Sequence, residues 1–162
     1  MRRGALSVCV VLVFAFCAAP EARPSSVAGS RTASTTRDAA LVAAINSVRA
    51  LHLLPKLSLD FRLARAARFH SLDMLRYDYF AHGDFGGRMT RFHVRGRLFE
   101  ENLAWSSGVM SANVTVADWL ASPPHRATLL DPSLRRIGVA TPVGAFRGWS
   151  TATLVTADFA GS

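Results

Sequence analysis

Cysteine is nearly absent, with two in 162 residues, Cys9 and Cys17, both inside the apolar N-terminal stretch. A disulfide framework is thereby excluded for the chain beyond that stretch, which must hold together by its core alone. Lysine is scarcer still: Lys56 stands alone against 18 arginines, a compositional bias rather than a design for phosphate. No run approaches the ~20 apolar residues that a membrane span needs, since the segment from Ala5 to Ala19 is too short. Neither an aromatic stacking motif nor a basic run is present, so no nucleic-acid partner is expected despite the net charge of +8.

Arg2 and Arg3 precede the apolar stretch, which is the pattern of a secretory signal peptide. We read residues 1–22 as that signal, with cleavage between 19 and 28, because Pro20 disfavours a cut after Ala19 and Ser26-Val27-Ala28 offers a later small-x-small site. The expected product is a secreted, extracellular or periplasmic chain with no transmembrane segment once the signal is gone. Loss of Arg2, Arg3 and Glu21 leaves the positive excess almost intact, which suits envelope polymers or anionic lipid as neighbours. Residues 23–36 are Ser, Thr, Ala, Gly and Arg without periodicity and read as a flexible leader. Residues 37–162 form one domain, expected monomeric and long enough to bury about two-thirds of its unfolded surface.

Apolar residues Leu41, Ala44, Ile45, Val48 and Leu51 recur at helical spacing over Asp38 to Leu51, and Pro55 closes that helix. Asp60 is the expected N-cap of a second helix to about Tyr77, with Leu63, Ala64, Ala67, Ser71, Met74 and Leu75 inward and Arg62, Arg65 and Arg68 in water. A short helix over about Arg88 to Val94 should end at Gly96, and Phe99 to Ser106 reads as a strand. Ser111 can cap a helix through Ala121 that buries Trp119, and Ser122 with Pro123 can start another through Leu130. Arg136 to Val143 and Ser150 to Phe159 alternate around a turn at Gly144 to Gly148. Helices around a three-stranded antiparallel sheet give an α+β layered domain.

His82 in a glycine-bearing loop, Glu101 on a strand and His125 at a helix start are the candidate ligands, although their separations match no local metal motif. Alternation along "FEENLAWSS" sends Glu100 and Glu101 to opposite faces, so one of the two acids must meet a partner. His70, near the core stripe of its helix, reads as a buried histidine bonded to backbone or a carboxylate.

The segments "FAHGDFGG", "EENLAW", "VADWLASPPHRATLLDP" and "RRIGVAT" occur in the order and near the spacings of the CAP superfamily, and the chain resembles its small bacterial SCP-like members. The resemblance covers Asp38 to Phe159. It implies an α-β-α sandwich with a small antiparallel central sheet and a cavity whose His/Glu tetrad holds a divalent cation, zinc foremost. By that resemblance the first histidine is His82, the strand glutamate Glu101 and the second histidine His125, with Asn102 the asparagine after the glutamate. Glu100 stands where the family has glycine and is left for solvent or a neighbouring Arg. Ser122 stands where larger members have the fourth ligand, a glutamate, which implies weaker metal affinity.

Two functions stay open at this stage. One is a binding module for a lipid or cell-envelope component; the other is a metal-assisted hydrolase acting on an ester or amide, with Glu101 or a free histidine moving the proton. A Ser122–His125 nucleophile is less economical than Ser122 as a helix cap.

Overall fold

The computed structural model describes residues 26–161, so the expected signal, with Cys9 and Cys17, lies outside the described residues. Helix α1 spans Ser26–Leu51 and so includes most of the stretch expected to be a flexible leader. After Pro24 its Ala, Ser, Thr and Arg contain no proline to bar a helix, and its anchorage is tertiary. The Arg37 guanidinium donates to the Thr141 carbonyl, and Thr141 Oγ1 donates to Asp38 Oδ1 at 2.6 Å. Further along, Leu51 is exposed while Arg49 is wholly buried, a reversal of the expected stripe. Arg49 donates to the carbonyls of Pro55, Leu129, Asp131 and Leu134, closing the chain where it leaves α1 and where it enters the sheet.

The remaining elements are β1 (Ser58–Leu59), α2 (Phe61–Tyr77), α3 (Phe85–Arg91), β2 (Leu98–Ser107), α4 (Ala112–Ala121), α5 (Pro123–Leu130), β3 (Leu134–Ala140), β4 (Val143–Phe146) and β5 (Trp149–Gly161). The sheet runs β1-β3-β5-β2, with β4 also on β5. Its strands pair antiparallel except β1 with β3. Five strands thus replace the expected three. The stretch expected as a turn supplies β4, because Arg147 and Gly148 both adopt positive φ and make a two-residue hairpin turn suffice.

Alternation along β5 divides the core. Val155, Ala157 and Phe159 pack with α1, α4 and α5, while Leu154 and Ala160 pack with α2 and α3. The result is helix, sheet, helix in three layers, the expected sandwich. Gly138 on β3 lets α2 approach backbone to backbone: a Cβ there would lie 2.0 Å from Ala64 N. Asp60 caps α2 as expected, accepting from the amides of Arg62 and Leu63. Helix α3 starts earlier than expected because Asp84 caps it through the Gly87 amide; it ends at Phe92, so Gly96 is not its cap. Trp119 is buried, and its indole N–H donates to the Leu103 carbonyl at 2.9 Å, fastening α4 to β2.

Candidate functional site

Strand β2 divides its side chains between the two layers. Leu103 packs with Met74 of α2 and Ala104 against the α1–α4 core, so Glu101 lies on the α2 face and Asn102 on the α5 face. Asn102, buried, donates through Nδ2 to the His125 carbonyl at 3.0 Å and ties α5 to the strand. Glu100 is half-buried rather than turned to solvent, its Oε2 has no hydrogen-bond partner among the described residues, and no Arg pairs with it.

Glu101 is the centre of the site. Its Oε1 lies 2.7 Å from His82 Nδ1 and its Oε2 accepts from Arg88 Nη2. His82 is 59% exposed, whereas the side chains of Glu101 and Arg88 are 2% and 5% exposed. Arg88 Nη1 also donates to the His82 carbonyl at 3.2 Å, so one guanidinium fixes both the strand acid and the loop that carries the histidine. Across the β2–β5 ladder Glu101 pairs with Asp158, which is wholly buried and lies 3.7 Å from Arg88 Nη2. His70 Nε2 donates to the Ala81 carbonyl at 2.9 Å and lies 3.9 Å from Glu101 Oε2, the backbone-bonded buried histidine that was expected. Beside these groups a cavity of about 280 Å³ opens between α2 and α3, lined by His70, Asp73, Tyr79, Gly83 and Arg88 among others.

Burial sets the electrostatics. It pushes the Glu101 carboxyl up to about 7, with the Arg88 charge pulling the other way, and raises Asp158 far above the usual carboxylate range, helped by the Glu101 charge beside it. Burial, seconded by Arg88, holds His70 down at about 4. His125 is lowered by burial and then by the nearby charge of His82.

The expected ligands converge in part. His82 and Glu101 are in direct contact, but His125 Nδ1 is hydrogen-bonded to Ser122 Oγ at 2.9 Å. Ser122 takes the N-cap position of α5 as expected, yet its hydroxyl caps no amide: Pro124 has no N–H at N2, and the hydroxyl turns to the His125 ring. No group of three or more His, Cys, Asp or Glu among the described residues is placed to hold a metal ion. Both Glu101 oxygens are already engaged, so the donors do not fit a metal as they are arranged. Arg88 and Asp158 were missed by sequence reasoning: nothing local in "FGGRM" or "TADFA" marks either as a partner of Glu101.

A layered α-β-α domain with its acid on the second strand defines an SCP-type fold. The family model of the cysteine-rich secretory proteins, CAP, matches residues 42–151, and the chain belongs to that family. It is 32% identical over 110 residues to YlbC, an uncharacterised membrane protein of Bacillus subtilis, covering 65% of this chain and 31% of that protein. Among solved structures it resembles an extracellular SCP-domain protein of Bacillus anthracis, with TM-score 0.68, 26% identity, and coverage of 87% of this chain and 45% of that one. An outer surface protein of Borrelia burgdorferi shares the fold, with TM-score 0.60, 23% identity, and coverage of 75% of this chain and 90% of that one. The chain therefore spans about a third of YlbC and under half of the Bacillus anthracis protein.

Proposed function

We propose that the chain is a secreted binding module for a lipid or cell-envelope component. The observation that carries this reading is the engagement of Glu101: His82 holds one oxygen and Arg88 the other, so Glu101 is not free to act as a base. The ligand class is supported by a surface groove of about 790 Å³ between α1 and β1, where Val42, Ala43, Ala50, Leu57 and Leu59 are flanked by Asn46 and Lys56. Secretion is supported by the N-terminal signal pattern and by the extracellular and outer-surface relatives. No helix among the described residues is long and apolar enough to cross a membrane.

The hydrolase reading has one observation in its favour, the Glu101 carboxyl at about 7, where a general base is most effective. Ser122 and His125 do form a hydrogen-bonded pair, but Pro123 and Pro124 remove two of the amide donors that a helix N-terminus would aim at an oxyanion. Native mass spectrometry of protein from the secreted fraction, with solvent extraction and an ester and amide substrate screen, tests the proposal. A retained organic ligand without turnover is expected. Turnover that disappears in Glu101→Gln would overturn it.

A further inference from the structure

The resemblance leads one to expect a divalent cation at His82, Glu101 and His125, and the fold sets a cation of its own, Arg88, against the carboxylate of one of these and the backbone carbonyl of another. Arg88 sits in α3, whose start is fixed by the Asp84 cap. From there its guanidinium reaches Glu101 Oε2 and the His82 carbonyl and lies 3.7 Å from Asp158 Oδ1. Arg88 is the one cation within 4.0 Å of the buried Asp158 carboxyl among the described residues. A metal would need carboxylate lone pairs at about 2.0–2.2 Å, and it would add its repulsion from the guanidinium. An arginine suits the place: its charge is permanent and its planar fork serves several oxygens together.

We propose that Arg88 is the resident cation of this site, holding the Glu101 oxygen that a metal ion would need. The cluster is therefore organised without metal. Removal of the guanidinium, not supply of the ion, is what frees the Glu101 carboxylate beside His82 for a metal. This inference does not depend on which ligand the domain binds, and it stands or falls separately from the binding reading.

Cobalt and zinc titrations of the secreted chain test it, with calorimetry, visible absorption and thermal melting as readouts. Wild type is expected to give no saturable uptake, no cobalt d–d bands and no melting shift with zinc or chelator. Arg88→Met should take up one ion per chain, develop d–d bands, and gain a zinc-dependent rise in melting temperature that chelator reverses and Glu101→Gln abolishes. Arg88→Lys, which keeps a positive charge, should behave as wild type. Should Arg88→Met be unfolded without metal, recovery of structure on adding zinc counts as the same result; should it stay unfolded, the wild-type and Arg88→Lys titrations decide. The inference is overturned if wild type binds cobalt one-to-one with bands lost in His82→Ala, or if folded Arg88→Met takes up no ion.

Discussion

Glu101 and Asp158 are partners across the β2–β5 ladder, two buried carboxyls that share one guanidinium, Arg88. One positive charge offsets one of the two acids, and burial makes a second ionisation costly. Burial explains why Arg88 fails to hold Glu101 in the ordinary carboxylate range, and burial together with the Glu101 charge explains why Asp158 rises further.

Stability should therefore depend on pH through opposed groups, Glu101 and Asp158 on one side and His70 on the other. Glu101 is raised from 4.5 to about 7, so its contribution is complete below 4.5 and is lost as pH rises toward 7. His70 is lowered from 6.5 to about 4, so its contribution is present above 6.5 and is lost as pH falls toward 4, a swing on the order of 3 kcal/mol. Urea midpoints from pH 4 to 7 should show Glu101→Gln gaining on wild type as pH rises. His70→Gln, which keeps a donor for the Ala81 carbonyl, should lose the wild-type gain between pH 4 and 6.5. Curves parallel to wild type would contradict the burial argument.

Gly138→Ala should be severely destabilising. The added methyl meets α2 backbone, which cannot rotate away as a side chain would, so overpacking of about 1–3 kcal/mol is a lower limit. A melting temperature within a degree or two of wild type would mean that α2 does not lie this close to β3.

Arg49→Lys tests the buried knot. Lysine offers three donors where four carbonyls are served, and each acceptor left dry costs about 1–3 kcal/mol, so the change should be costly although it conserves charge. Equal stability by urea titration would show that water reaches those carbonyls.

Trp119→Phe should cost about 1–3 kcal/mol through the orphaned Leu103 carbonyl, and Trp119→Ala about 3–5 kcal/mol through the cavity. If both variants unfold with wild-type midpoints, α4 is not seated on β2 as described.

Much of this architecture is legible in the sequence because it rests on local periodicity. The stripe of α2, the Asp60 cap, buried Trp119 and the strand alternation of Glu101 need only spacing. The layered fold follows from the order of the elements and from the family resemblance. What sequence could not show is pairing at a distance. Arg49 reads as a polar interruption of a stripe until its four carbonyls, contributed by three later segments, are in view. Arg88 reads as one arginine among 18 until the register places Asp158 opposite Glu101. Ser122 reads as a cap until its hydroxyl is seen on the His125 ring instead of a backbone amide.

The most direct measurement is a crystal structure of the secreted protein grown with zinc, with anomalous data collected at the zinc edge. Arg88 Nη2 is expected on Glu101 Oε2 and His82 Nδ1 on Oε1, with no anomalous peak between them. An anomalous peak bonded to His82 and Glu101, with Arg88 displaced from the carboxylate, would contradict this arrangement.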